Sequence, residues 1–268
     1  MNNIKPWIES LRLKATIPTF FLTHIGFVFA NQKTNYLLAF IIFLIACNIM
    51  LTNDYKDRGH DLLKGKNFAY RNASKLYWVY FISWVIIGFL SYLMQTPYER
   101  WLLFLAITIG ISYSYSRKIL LLPTILVALT STIPGLLALQ KSDNSWPFIF
   151  LSITVFCVIF ARETIKDIED KIVDIGYKKT LLSQNIITTQ GSTHLSAFFI
   201  GIGLLASLGL YSFLGTFTIC IYWLGFAFST TSIIILWKLK IPTKLSKNLL
   251  DIGMGIIIAS FSLIPLEH

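Results

Sequence analysis

The chain has 268 residues, of which 55% are hydrophobic and only 13% are charged, with a mean hydropathy of +0.66 and a net charge of +10. Soluble domains average about 25% charged residues, so this composition excludes an ordinary soluble globular protein. The repeated apolar runs are long enough to cross about 30 Å of hydrocarbon as helices, and we predict an all-α integral membrane protein.

The basic residues divide unevenly between the two ends of the predicted spans. Of the 23 basic residues, all but Lys33, Arg100 and Lys141 fall on one side. This asymmetry obeys the positive-inside rule, so it predicts a cytoplasmic N-terminus and explains the net charge without nucleic-acid binding. The nine predicted transmembrane helices are centred near residues 17–30, 36–52, 76–94, 101–115, 119–139, 146–161, 195–213, 215–237 and 249–265.

The N-terminal segment, residues 1–16, has an amphipathic pattern in which Trp7 and Leu11 lie among basic residues. Interfacial helices on the inner leaflet use this pattern, so we predict a membrane anchor. Arg12 and Lys14 are also placed where they could reach a phosphate group at the same surface.

A polar run follows directly on the second predicted span. Asp54, Asp57 and Asp61 are spaced three and four residues apart, which places them on one face of a helix, and Asn53 adds a carboxamide. The polar run continues to residue 75 and exceeds the usual bundle connection of two to eight residues. We predict a helical extension followed by a cap over a site; the alternative is a solvated charged loop.

The fourth predicted span ends in a second polar feature, where Tyr113 precedes Arg117 by four residues and Lys118 follows. Basic groups at this depth suit a diphosphate, and a tyrosine hydroxyl can support the same oxygens or a developing cation. Such residues are also ordinary anchors at a membrane interface, so they indicate a diphosphate site only in combination with acidic segments.

The sixth predicted span leads into a second acidic segment, in which Asp167, Asp170 and Asp174 repeat the spacing of the first. Close carboxylates repel one another and are costly near lipid. Mg²⁺ accepts a few carboxylates and completes its shell from water and phosphate oxygens. We therefore predict one magnesium site divided between the two segments and completed by a diphosphate. Farther along, Asp251 is predicted to be an N-terminal helix charge favoured by the dipole of the ninth span.

The motifs together resemble those of the UbiA superfamily of intramembrane prenyltransferases. The first acidic segment matches the family motif N-D-x-x-D-x-x-x-D in full, and the second matches D-x-x-D-x-x-x-D. The family's Y-x-x-x-K element is similar to the stretch from Tyr113 to Arg117, with arginine in place of lysine. The matching residues are Asn53, Asp54, Asp57 and Asp61 in the first motif, and Asp167, Asp170 and Asp174 in the second.

The resemblance implies nine helices around a central cavity, a prenyl diphosphate substrate, a lipid-soluble acceptor and Mg²⁺ as cofactor. Metal and basic groups would neutralise the diphosphate as its allylic C–O bond breaks, and an apolar chamber would shelter the allylic cation. The implied metal-binding and catalytic residues are Asn53, Asp54, Asp57, Asp61, Asp167, Asp170 and Asp174. Tyr113 would stabilise the cation or the leaving group. The implied diphosphate-binding residues are Arg71, Arg117, Lys118, Arg162, Lys178 and Lys179.

The resemblance also implies a single transmembrane domain, residues 1–265, in an inner or plasma membrane. Its motif and cap segments, 53–75 and 162–194, would lie on the cytoplasmic side. The final three residues, 266–268, resemble the remnant of an expression tag and are excluded.

Two features set this chain apart within the family. Many members follow the first motif with R-P-x-x-x-G, whereas Asn72 follows Arg71 here, which bears on the cap and the acceptor. The run from Arg162 to Asp170 is most similar to the branch that alkylates geranylgeranylglyceryl phosphate.

Three functions remain open on these observations. The leading one is transfer of a polyprenyl group to an aromatic or glycerol phosphate lipid acceptor. A membrane terpene cyclase would use the same motifs to form a cyclic terpene without an acceptor. A transporter or cation channel is disfavoured, because the carboxylates cluster at one face beside cations instead of forming a series across the bilayer.

Overall fold

The chain folds into helices in a computed structural model, which describes residues 7, 10–63, 68–94, 96–116, 119–169, 186–214, 216–238 and 244–263. Two short 3₁₀ turns, Leu139–Lys141 and Tyr211–Phe213, accompany the α-helices, and these ranges contain no strand. The helices are α1 (Leu13–Phe29), α2 (Tyr36–Leu63), α3 (Phe68–Arg71), α4 (Ala73–Tyr92), α5 (Pro97–Tyr115), α6 (Leu122–Leu136), α7 (Trp146–Glu169), α8 (Thr189–Leu208), α9 (Thr216–Lys238) and α10 (Lys244–Ser262).

Seven helices within these ranges are long and apolar enough to cross a membrane, namely α2, α4, α6 with its 3₁₀ extension, and α7 to α10. Helix α1 is shorter, and α5 carries Glu99 and Arg100 in its first turn. All nine predicted spans fall largely within helices, in the predicted order. The all-helical membrane fold is therefore confirmed, whereas the number of nine spans and the central cavity stay predictions.

Helix α2 positions the first acidic segment. It runs without a break for 28 residues, about 42 Å at the rise of an α-helix, and so continues past the apolar run that would fill the bilayer. The predicted helical extension from residue 53 is therefore present as far as Leu63, and the short helix α3 follows it.

The first acidic segment and the described beginning of the second, up to Glu169, lie at the same end of the bundle. The start of α1 meets the end of α2, because Arg12 pairs with Asp54. The far ends of α1 and α10 also meet, since His24 contacts the carbonyl of Ser262, and these two helices therefore begin at the same end. The end of α7 adjoins the beginning of α10, where Lys247 pairs with Glu169. We call this end of the bundle the site end.

At the opposite end of the bundle, polar contacts join α5 to the end of α6 and to the connection that follows it. Lys141 Nζ lies 3.1 Å from Glu99 Oε1, and the Tyr98 hydroxyl donates to the carbonyl of Leu136 at 3.0 Å. Helices α1 and α6 pack very closely at Gly26, where a side chain would collide with the backbone of Gly135. The close approach at Gly26 holds α1 against α6, and the other end of α1 reaches the first acidic segment.

Candidate functional site

The site is built around a buried polar row on α2. Asn53, Asp54, Asp57 and Asp61 are between 2% and 8% exposed, and His60 is buried beside them. Ionised carboxylates buried to this extent need hydrogen bonds or cations to offset their lost hydration. The surrounding elements must therefore supply hydrogen bonds or positive charge to the row.

Arg12 supplies part of this positive charge. Its Nη2 lies 2.6 Å from Asp54 Oδ1, and its charge also interacts with Tyr113 and Asp61. Burial has the largest single effect and lowers the pKa of Arg12, but the interactions with Asp54, Tyr113 and Asp61 together outweigh it, and the pKa is raised overall. Arg12 therefore stays a cation within the acidic row.

The conformation of the N-terminal segment places the Arg12 side chain against the acidic row. Arg12 caps α1 in the left-handed conformation, with φ 49° and ψ 51°, which is costly for a residue with a side chain. Trp7 meets Phe68 of α3 edge to face with ring centroids 5.0 Å apart, and Leu11 packs on the cluster around Leu76. The segment predicted to be a membrane anchor thus also borders the site. The sequence indicated that Arg12 could reach a phosphate, but not that it pairs with Asp54.

Helix α5 supplies Tyr113, which is buried at 6% exposure near Arg12. The Ser116 hydroxyl donates to the Tyr113 carbonyl at 2.9 Å, tying the last turn of the helix. The structure thus places Tyr113 close to Arg12, which in turn pairs with Asp54 of the acidic row. The two predicted cations that follow it, Arg117 and Lys118, lie outside the described residues.

Helix α7 carries the beginning of the second acidic segment to the site end. Asp167 and Glu163, one helical turn apart, are 8% and 6% exposed. The remaining residues predicted in this region lie outside the described part of the chain. They are Asp170, Asp174, Lys178 and Lys179.

Arg162 holds α7 to α10. Its Nε lies 2.7 Å from Asp251 Oδ1, and its Nη1 lies 3.1 Å from Glu163 Oε1. Asp251 is the eighth residue of α10 and lies beyond the first turn. The prediction that it is an N-terminal charge favoured by the helix dipole was therefore wrong. Its partner is a distant arginine, which no local sequence pattern could reveal. Arg71, another predicted diphosphate ligand, is exposed at the end of α3.

The chemistry of the donor set suits Mg²⁺. The row on α2 offers carboxylate and carboxamide oxygens, which are the hard ligands that Mg²⁺ takes, and Mg²⁺ commonly keeps several water or phosphate oxygens as well. Among the described residues, no three His, Cys, Asp or Glu side chains come together closely enough to hold a metal by themselves.

Fold and site together define an all-helical integral membrane protein with a buried acidic site at one end of its bundle. The chain belongs to the UbiA prenyltransferase family, whose model matches residues 16–248. No curated protein sequence gives a significant match.

Two solved structures share the fold. One is described for digeranylgeranylglyceryl phosphate synthase in membranes, with a TM-score of 0.70 and 17% identity over 98% of this chain and 99% of that one. The other is the apo structure of a UbiA homolog from Aeropyrum pernix K1, with a TM-score of 0.70 and 14% identity over 93% of this chain and 97% of the homolog. At these identities the likeness establishes the fold.

Proposed function

We propose that this protein is an Mg²⁺-dependent intramembrane prenyltransferase that ionises a polyprenyl diphosphate and transfers the prenyl group to a lipophilic acceptor. The allylic C–O bond breaks and its electron pair leaves with the diphosphate. An electron pair of the acceptor then forms the new bond to the prenyl carbon, and the acceptor loses a proton. Family membership supports prenyltransferase activity in general.

The observation that carries the proposal is the continuity of α2. One helix leads from a bilayer-spanning apolar run into the buried row of Asn53, Asp54, Asp57 and Asp61. A substrate with a long apolar tail and an anionic head has the same division of polarity. The tail can stay among apolar helices while the head meets the row.

The proposed metal ligands are the α2 row together with acidic residues at and beyond the end of α7. When bound, Mg²⁺ would supply Lewis-acid stabilisation of the departing diphosphate. The proposed ligands are Asn53, Asp54, Asp57, Asp61, Asp167, Asp170 and Asp174.

The chain's own cations orient the anionic head. Arg12, which is half-buried beside the row, is added to the six proposed earlier, and it limits the net negative charge that the head meets. Arg162 forms ion pairs with two carboxylates, so one of these ion pairs must break before Arg162 can contact a diphosphate. The other proposed diphosphate ligands are Arg71, Arg117, Lys118, Lys178 and Lys179.

Tyr113 is proposed to steady the developing cation or the leaving group. Its burial beside Arg12 keeps the phenol at the boundary between the acidic row and the apolar part of the bundle. An aromatic face can stabilise an allylic cation there without offering a nucleophile as reactive as water. The site end would face the cytoplasm, as the distribution of basic residues predicts.

The acceptor is proposed to be an aromatic or a glycerol phosphate lipid. The run from Arg162 to Asp170 is similar to the branch that uses geranylgeranylglyceryl phosphate, which makes a glycerol phosphate lipid the first acceptor to test.

The test is incubation of purified protein with Mg²⁺ and geranyl, farnesyl or geranylgeranyl diphosphate, first without an acceptor and then with each acceptor class. Mass spectrometry of the organic extract identifies the products. Asp57→Asn is the inactive variant, and Asp143→Asn, an exposed carboxylate in the connection between α6 and α7, is its matched control.

A prenylated acceptor that forms with the wild type and Asp143→Asn, but not with Asp57→Asn, is the expected result. A cyclic terpene formed without any acceptor would replace the transferase with a terpene cyclase. Unchanged diphosphate with every acceptor, from protein shown to be folded, would overturn the proposal.

A further inference from the structure

Three tyrosines form a cluster on the side of α2 that faces α4. The ring of Tyr55 lies 5.8 Å from that of Tyr77 and 5.2 Å from that of Tyr80, and the rings of Tyr77 and Tyr80 are 5.3 Å apart, centroid to centroid. We call these residues the tyrosine cluster. Tyr55 follows Asp54 directly in the chain, so its side chain projects about 100° around the helix from the acidic row.

Arg58 contacts the tyrosine cluster, and Lys56 contacts Tyr115, which is close to Tyr80. The Arg58 guanidinium lies 4.4 Å from the centroid of the Tyr55 ring, and Lys56 Nζ lies 4.1 Å from that of Tyr115. Tyr80 is close enough to Tyr115 and to Arg58 for their charges to interact. Within the part of the chain that the structure describes, neither cation pairs with a carboxylate. Aromatic faces hold these cations in place and leave their charge available to an anion.

The scaffold beneath the cluster is fixed by hydrogen bonds between α2 and α4. Asn48 Nδ2 donates to the carbonyl of Tyr80 at 3.1 Å, and Trp84 Nε1 donates to the hydroxyl of Thr52 at 3.2 Å. The first bond ends on the backbone of Tyr80 itself and the second lies about one turn away, so both hold the two backbones in register. The hydroxyls and cations are therefore carried on packed helices.

An outward apolar row on α4 continues from the cluster. Phe81 stacks on Tyr77 with an interplanar angle of 7°, and Val85 and Phe89 follow at intervals of four residues. The four side chains are between 37% and 63% exposed. From Tyr77 to Phe89 the row is about 18 Å long, which exceeds half of a hydrocarbon layer of about 30 Å.

We propose that Lys56, Arg58 and the tyrosine cluster bind the phosphate of an anionic phospholipid, whose acyl chains lie along the apolar row of α4. Two cations and several phenolic donors at the end of a membrane helix complement a phosphate group. The adjoining apolar row selects a phosphate that carries acyl chains over a free one. Tyr55 projects away from the acidic row, whereas Arg58, four residues after Asp54, lies between the tyrosine cluster and that row. The proposed lipid site does not depend on the proposed reaction.

The test is native mass spectrometry of the whole protein in detergent with dioleoyl phosphatidic acid. Dioleoyl phosphatidylcholine serves as the lipid without net charge, and inorganic phosphate serves as the competitor without acyl chains. The wild type should retain phosphatidic acid in preference to phosphatidylcholine. Lys56→Gln with Arg58→Gln should weaken that binding roughly tenfold or more, because each cation near an anionic headgroup contributes about 1 kcal/mol.

Two further pairs of substitutions separate the site from general charge and from folding. Lys75→Gln with Lys238→Gln removes two exposed lysines from the same end and should leave the binding unchanged. Lys56→Arg with Arg58→Lys keeps the charges and should retain binding even if the glutamine pair folds poorly. Tyr77→Phe with Tyr80→Phe keeps the rings but removes two hydroxyl donors, and should weaken binding roughly threefold.

Equal phosphatidic acid binding by the wild type and the folded glutamine pair would overturn the proposal. Displacement of the lipid by inorganic phosphate at equal concentration would assign the site to a soluble phosphate instead. A wild-type mass of two chains, with lipid binding insensitive to all these substitutions, would assign the face of α4 to a second copy of the protein.

Discussion

Arg12 and Asp54 join the N-terminal segment to the acidic row through an ion pair of 2.6 Å. Arg12 reaches this position from a left-handed backbone conformation, which a non-glycine residue adopts only when surrounding contacts hold it there. The contact between Trp7 and Phe68 and the packing of Leu11 provide that support. The described part of the N-terminal segment therefore connects the short helix α3 to Asp54, one of the proposed metal ligands.

Replacing Arg12 with glutamine should destabilise the protein by about 1–3 kcal/mol, because the Asp54 carboxylate then loses its charged partner in a buried place. Thermal unfolding in detergent measures the change. Asp54→Asn in the same chain should recover part of the loss, since the carboxylate that Arg12 neutralises is then also removed. Strictly additive losses in the two single variants and the double variant would show that the ion pair contributes nothing.

Arg12 and Mg²⁺ should compete for Asp54, since both neutralise the same carboxylate. In Arg12→Gln, the Mg²⁺ concentration that gives half of the metal-induced thermal stabilisation should fall roughly tenfold, equivalent to about 1.4 kcal/mol. Arg100→Gln, at the opposite end, is the control and should keep the wild-type midpoint. A higher midpoint in Arg12→Gln would mean that the arginine assists metal binding.

Lys141→Gln should lower stability without changing the reaction. Glu99, whose side chain is 4% exposed, would lose its cation at the opposite end from the site, at a cost of about 1–3 kcal/mol. Unfolding temperature and turnover, measured on the same preparation, distinguish the two effects. The neighbouring exposed Arg100→Gln should change neither; a loss of turnover in folded Lys141→Gln would tie this end of the bundle to function.

Gly26→Ala should cost about 1–3 kcal/mol, because its methyl group would overlap the backbone of Gly135 and force α1 away from α6. Gly88→Ala is the matched control, since nothing lies within 4 Å of the added methyl group on α4. It should be neutral or stabilising by up to about 1 kcal/mol. Thermal unfolding compares the two, and equal effects would exclude tight packing at Gly26.

The helical membrane fold and the acidic row on α2 could be predicted, because both follow from local patterns. Apolar runs set the spans, and steps of three and four residues place Asp54, Asp57 and Asp61 on one face. The number of spans is harder to predict, since α1 is short and α5 carries charges in its first turn.

The ion pairs could not be predicted, because they join residues far apart in the chain. Arg12 pairs across 42 positions and Arg162 across 89, and each has ordinary neighbours in the sequence. An arginine near a membrane surface is most simply interpreted as an anchor, and an aspartate near a helix start as a dipole charge. Only the packing of α1 on α2, and of α7 on α10, reveals their partners.

The proposal that the α2 row activates a prenyl diphosphate is tested most directly by measuring diphosphate release. Purified wild type, Asp57→Asn and Asp143→Asn are compared in lipid with Mg²⁺, geranylgeranyl diphosphate and each acceptor class. Release should depend on Mg²⁺, persist in Asp143→Asn and fall by roughly 100-fold or more in folded Asp57→Asn, as expected when a group that stabilises developing charge is removed. Wild-type release by Asp57→Asn would contradict the account.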